Sequence, residues 1–226
     1  MAHGKKYRKA SEQAPKEAVE LTDAIAYVKN QPGAKFDETM ELGLKLGVDP
    51  KRSELAVRGS VHLPHGSGKT VRVLVFAAGA AAEAAREAGA DYVGMDDMIE
   101  KVKGGWTDFD VAIATPEAMQ EVRKLGRVLG PRGLMPNPKT GTVTDDTGPA
   151  VKQSKAGKVD FRMDRHGNVH VSFGKKSFAD EQLVENANAA IAAIRSERPA
   201  AAKGTYIKSC TVTSTMGVGV RTTVKD

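Results

Sequence analysis

Between residues 15 and 30 apolar side chains recur as Ala18, Leu21, Ile25 and Val28, one helical face that Pro32-Gly33 brings to an end. The spacing predicts a helix. Over residues 35–46 the period shortens to two, with Phe36, Met40, Leu42, Leu44 and Leu46 in alternation, which predicts a strand with one wet face. A turn at Asp49-Pro50 leads to a second strand over 56–63, and Pro64-His65-Gly66-Ser67-Gly68 then has the composition of a hinge.

Beyond the hinge the texture becomes strand 71–77, helix 80–88, strand 91–94, helix 96–103, strand 111–115 and helix 116–125. Thr115 before Pro116 suits a helix start, because the hydroxyl can cap while proline occupies the first turn. Short apolar strands alternating with helices predict parallel β-α-β units, hence a three-layer, Rossmann-like α/β domain. After Ala156-Gly157, residues 158–164 and 168–173 alternate around Asp164-Arg165-His166-Gly167, a hairpin signal. Ser177-Phe178-Ala179-Asp180 opens a helix whose stripe is Leu183, Ala187, Ala190, Ile191 and Ile194, ending near Pro199. Two final strands, 205–215 and 218–224, break only at Met216-Gly217.

Each flank holds one helix and two or three strands in roughly 60–70 residues, too little for an independent core. The expected fold is therefore α/β in two domains. Residues 1–66 and 158–226 form a discontinuous α+β domain, its sheet carrying helices on one side, and residues 67–157 are inserted into it.

Charge refines this partition. The chain carries 34 Lys/Arg against 28 Asp/Glu, a formal +6. Residues 67–157 hold 12 of each and are neutral, so the flanks, with 22 against 16, supply the whole excess. Inside the neutral middle, residues 121–139 gather Arg123, Lys124, Arg127, Arg132 and Lys139 against one acid. At the N-terminus Lys5, Lys6, Arg8 and Lys9 surround Tyr7, which reads as a solvated tail or as an arm lying on phosphates. The longest apolar run, 73–82, is about half the roughly 20 residues of a membrane span, and no membrane partner is expected. The basic N-terminus lacks a following apolar segment, and the single Cys210 suits a reducing compartment, so a cytosolic location is expected.

Catalytic motifs are weak. Gly66-Ser67-Gly68-Lys69-Thr70 ends like a phosphate-binding loop, but Leu63 stands where the first glycine belongs and a strand, not a helix, follows. Phe76-Ala77-Ala78-Gly79 lacks two glycines of a dinucleotide fingerprint. His62 with His65, and His166 with His170, fall on strands and turns without a neighbouring cysteine. Cys210 lies in a predicted strand with no activating base. No enzyme, cofactor or metal is expected. A DNA-binding regulator is favoured only by the net charge, and the helix around 183–195 is too poor in cations to read a groove.

Gly126-Arg127-Val128-Leu129-Gly130-Pro131-Arg132-Gly133-Leu134-Met135-Pro136-Asn137-Pro138-Lys139 differs in kind. Its glycines and prolines oppose regular structure, while Val128, Leu129, Leu134 and Met135 can pin it with the cations outward. It reads either as a tied-down connection or as a phosphate-contacting surface. With the following Thr140-Gly141-Thr142-Val143, it closely resembles the signature of the ribosomal protein L-one family in its bacterial form. KFDETMEL at Lys35, LPHGSGK at Leu63, AGADYVG at Ala88, DFDVAIATP at Asp108 and TVTSTMG at Thr211 resemble the same family in order, covering essentially the whole chain.

The resemblance implies a ribonucleoprotein component that binds a stem-loop junction of large-subunit ribosomal RNA at the mobile stalk beside the tRNA exit site. It places the chief RNA site in the first domain, on Lys35, Phe36, Thr39, Glu41, Ser209, Thr213, Thr215, Met216 and Gly217. It further implies contact with exit-site tRNA and help in releasing it, repression of the protein's own messenger RNA, and a monomer off the ribosome. Secondary basic contacts are expected from Lys5, Arg8, Lys9, Arg123, Lys124, Arg127, Arg132 and Lys139.

The residue chemistry agrees. Lys35 can meet phosphate and Phe36 can pack on a ribose or base; Thr213 and Thr215, two apart, can reach 2′-hydroxyls or base edges in a shallow minor groove. Gly217 permits close backbone approach, Met216 is an adaptable apolar contact, and Glu41 can accept from a 2′-hydroxyl or base amino group. Taken singly, each reads more readily as ordinary strand surface, and only the family resemblance overturns that.

Overall fold

The computed structural model describes residues 4–224. In chain order its elements are α1 (Lys5–Gln13), α2 (Leu21–Asn30), β1 (Thr39–Leu46), β2 (Arg58–His62), β3 (Val73–Phe76), α3 (Gly79–Glu87), β4 (Tyr92–Gly94), α4 (Asp96–Lys103) and β5 (Val111–Ala114). There follow α5 (Met119–Val122), α6 (Gly126–Leu129), α7 (Thr147–Lys155), β6 (Lys158–Arg162), β7 (Asn168–Lys175), α8 (Asp180–Ser196), β8 (Ile207–Ser214) and β9 (Val220–Thr222). The chain divides into two compact units, Met1–Gly68 with Val159–Asp226, and Lys69–Lys158.

In the first unit β7, β1, β8 and β9 form an antiparallel sheet in that order. Alternation along β1 sends Met40, Leu42, Leu44 and Leu46 inward, where they are almost wholly buried with Ile25 and Val28 of α2 and Leu183, Ala187 and Ile194 of α8. Burying each such leucine contributes about 1.5–3 kcal/mol. The same alternation leaves Thr39, Glu41, Gly43 and Lys45 on the opposite face, where Glu41 stands between Ser172 and Thr213, and Gly43 between His170 and Thr211. Both α2 and α8 thus cover one face of the sheet, and the other is polar.

Several elements differ from the sequence pattern. Residues 5–13 are helical, and Tyr27 of α2 donates its hydroxyl to the Ala10 carbonyl of α1 at 3.0 Å, so the basic N-terminal segment is a helix anchored to α2 rather than a tail. Residues before Leu21 are extended, because Val19 bridges β9: its N–H donates to Arg221 and its carbonyl accepts from Thr223. Strand β1 starts at Thr39, leaving Lys35 and Phe36 in the loop before it. The turn at 164–167 forms, with the Asp164 carboxylate accepting from His166 and Asn168 and held at a pKa of about 2 chiefly by the Asn168 amide. Its two arms separate, however: β7 joins the large sheet and β6 pairs with β2, and among the described residues the arms are joined by the single bridge Met163–Val169.

The second unit is a parallel sheet in the order β4-β3-β5. All four residues of β3 are buried, Val73 and Val75 against α3 and α7, Leu74 and Phe76 against α4 and the segment 118–129. An unbroken apolar strand is what two covered faces require. Thr115 accepts from the Ala118 N–H at 3.3 Å across the turn at 116–118, so it holds that turn rather than capping α5, whose N-cap is Ala118. The helix after it is shorter than its periodicity predicts: α5 passes into a 3-10 turn at Arg123–Leu125 and then into α6, so Gly126 begins a helical turn rather than an irregular loop. Helix α7, whose first turn holds Gly148-Pro149, escaped the pattern because its contacts with α3 are tertiary.

Candidate nucleic-acid interface

At one end of β1 two loops from distant parts of the sequence are sewn together. The loop is Gln31 to Glu38; the turn is Ser214 to Val218. The Thr215 N–H donates to the Thr39 carbonyl at 3.1 Å, and the Thr39 N–H donates to the Thr215 hydroxyl at 3.0 Å. Glu38, 1% exposed, supplies the central link. Its Oε2 accepts from Ser214 Oγ at 2.6 Å and from the Met216 N–H at 3.1 Å, and its Oε1 accepts from the Ala34 N–H at 2.6 Å. Burial alone raises the pKa of this carboxyl; the hydrogen bonds from Ser214, Ala34 and Met216, with the nearby Lys176 ammonium, outweigh it and hold the group below its ordinary 4.5. A buried anion on three donors is a rigid clamp.

Two glycines accommodate the clamp. A Cβ at Gly33 would lie 2.7 Å from Glu38 Oε1, and one at Gly217 would strike Ser214 Oγ. On the other flank Ser177 binds the Asp37 carboxylate through its N–H and hydroxyl, and Lys175 donates to Thr39 Oγ1 at 2.9 Å.

The clamp presents Phe36 and Met216 to solvent at 56% and 65% exposure, both large apolar side chains that water disfavours. Lys35 is exposed beside them. Below, Glu41, Ser209, Thr213 and Gly217 line a groove of about 450 Å³ on the open sheet face, together with Tyr7 and His170. All nine residues of the expected chief site therefore lie either on this face or at its end. Two placements depart from the sequence expectation. Phe36 does not follow the inward alternation of β1, because the chain turns before the strand begins. Thr215 lies past the end of β8 and is exposed, and its hydroxyl accepts from the Thr39 N–H and donates to the Thr39 carbonyl, so it braces the loop.

Sequence reasoning missed Glu38, and a signal for it existed: continuing the even-numbered inward alternation from Met40 places Glu38 on the buried side, where a carboxylate must find donors. It also missed Lys45, His170 and Thr211 on the sheet face, which only strand pairing brings together.

Of the secondary cations, Lys5, Arg8 and Lys9 ride on α1 in the first unit. Arg123, Lys124, Arg127, Arg132 and Lys139 are exposed in the second unit. Lys124 pairs with Glu121 at 2.6 Å and Arg132 donates to Thr107, so two of the five are engaged locally.

The remaining motifs have structural explanations. An extended segment and then β3 follow Lys69-Thr70, not a helix N-terminus. His65 pairs with Glu185 at 2.6 Å. Cys210 is buried on β8, and desolvation pushes its thiol up to about 11. Among the described residues no cluster of three or more His, Cys, Asp or Glu side chains is arranged to hold a metal ion.

Comparison with known proteins adds an independent line. Residues 27–218 match the family described as ribosomal protein L1p/L10e. The chain is 53% identical over 221 residues to the large ribosomal subunit protein uL1 of Thermobifida fusca, covering 97% of this chain and 94% of that one. It is 55% identical over 222 residues to the protein of that name from Cutibacterium acnes, covering 98% and 96%. Against that of Clavibacter michiganensis it is 54% identical over 221 residues, covering 97% of each.

Proposed function

The chain belongs to the ribosomal protein L1p/L10e family, and from that premise we propose that it binds large-subunit ribosomal RNA through the discontinuous first unit. It is a structural, non-catalytic component of the cytoplasmic ribosome; its relatives are named as large ribosomal subunit proteins. The observation that carries the site assignment is the Glu38 clamp, which holds two exposed apolar side chains, Phe36 and Met216, at the end of a polar sheet face. Apolar contacts for a ribose or base, hydroxyls for 2′-hydroxyls and cations for phosphates are what a shallow RNA minor groove demands.

The finer roles follow the family resemblance. The RNA is the stem-loop junction of the mobile stalk; the protein is a monomer off the ribosome, contacts exit-site tRNA and assists its release, and represses its own messenger RNA through a site that mimics the ribosomal one. Residues 1–66 and 158–226 grip the RNA, and the cations at 123–139 add weaker contacts from the inserted unit.

The test is fluorescence anisotropy of the full chain with a transcript of the stalk stem-loop, with duplex DNA as competitor. Saturable binding that resists the DNA is expected, with a log-log salt slope on the order of −3 to −6 if about four to seven phosphates are neutralised. Equal competition by duplex DNA, or a flat salt dependence, overturns the assignment.

A further inference from the structure

Beside the sheet face, α1 and the two clamped loops enclose a second groove of about 360 Å³, whose walls are Tyr7, Ala10, Gln31, Pro32, Met216 and Val218. Gln31 is 8% exposed. Its Oε1 accepts from the Val218 N–H at 3.0 Å, which fixes the orientation of the amide and leaves Nε2 as a buried donor with no acceptor among the described residues. An unmet donor of this kind costs free energy that a ligand acceptor would recover. The rest of the groove is mostly apolar, and Lys6 also lines it.

We propose that this groove is a nucleobase pocket, taking one unstacked base of the bound RNA. The proposal rests on the RNA-binding reading above and extends it to α1. Met216 and Gly217 belong both to this groove and to the interface, and Tyr7 and Gly217 also line the groove on the sheet face, so the two surfaces are continuous. A base offers flat faces to Tyr7 and Met216 and, once the loop moves enough to uncover it, an edge acceptor to Gln31 Nε2. The strand that carries it would pass the cations of α1, Lys5, Lys6, Arg8 and Lys9, which suit phosphates. A neutral ligand would make no use of that charge.

The experiment is an abasic scan of the stem-loop transcript against the wild-type full chain and Tyr7→Ala, read by anisotropy. One abasic position should weaken wild-type binding by roughly 5- to 150-fold, the range for loss of one stacked base, and should cost Tyr7→Ala nothing. If wild type binds the intact transcript but no abasic penalty disappears in Tyr7→Ala, the pocket is refuted and the RNA interface stands. If wild type does not bind the transcript at all, the RNA reading itself fails and takes the pocket with it. Should Tyr7→Ala not melt cooperatively, ultraviolet cross-linking of the wild-type complex decides. Adducts within residues 5–10 or 31–34 support the pocket; adducts confined to 168–172 and 209–213 overturn it.

Discussion

Replacing Glu38 by Gln changes one atom and should disarm the clamp. With the amide oxygen turned to Ser214 and Met216, the amide nitrogen faces the Ala34 N–H, donor against donor; turned the other way, it faces the Met216 N–H. Either way at least one hydrogen bond to a buried carboxylate is lost and one backbone N–H is left unmet, which costs about 2–3 kcal/mol. For a molecule of this size that lowers the melting temperature by roughly 4–12 °C. The pH dependence has a definite sign. The folded-state pKa of Glu38 lies below 4.5, so its contribution is complete above that pH and is lost as the pH falls below it. Glu38→Gln should therefore lower stability at pH 7 and flatten the decline below pH 4.5. It should also weaken RNA binding without altering the salt slope, because no phosphate contact is removed. Thermal melts at pH 3, 5 and 7, with anisotropy at two salt concentrations, measure all three. A variant that melts and binds like the parent at pH 7 refutes the clamp.

Gly217→Ala drives a Cβ into Ser214 Oγ, and should cost about 1–3 kcal/mol by denaturant unfolding while weakening RNA binding; unchanged binding would separate the turn from the site. Asn186, wholly buried on α8, accepts from the His65 N–H at 3.0 Å and donates to the Gly66 and Phe173 carbonyls at 3.0 and 2.9 Å, so Asn186→Leu strands three backbone groups. A loss of about 3 kcal/mol or more is expected in urea unfolding, and a change under about 1 kcal/mol would contradict that bonding. Cys210, with its thiol pushed up to about 11 by burial, should resist a thiol reagent at pH 8 in the native protein and react at once in denaturant. Rapid native labelling would mean that β8 opens locally.

Much of the architecture is written in local periodicity. The alternation of Met40, Leu42, Leu44 and Leu46 specifies a strand with one dry face, the stripe from Leu183 to Ile194 specifies a helix to cover it, and the solid apolar run at Val73–Phe76 specifies a strand covered twice. Each is a statement about which side of an element avoids water, and sequence spacing alone carries it. The motifs at residues 35–42 and 211–217 likewise point, through their resemblance to a family, to most residues of the candidate site.

Periodicity says nothing about which backbone groups will pair, and there the tertiary structure decided. It turned the chain before β1 so that Phe36 faces out and Glu38 in, made a helix of residues 5–13 where Tyr27 supplies a partner, and sent the two arms of the 164–167 turn into different sheets. The buried carboxylate of Glu38 finds Ser214 176 positions away. A donor that distant is invisible to any local window, yet without it the desolvation of the charge could not be offset, and the surface that Phe36 and Met216 share would have no reason to hold its shape.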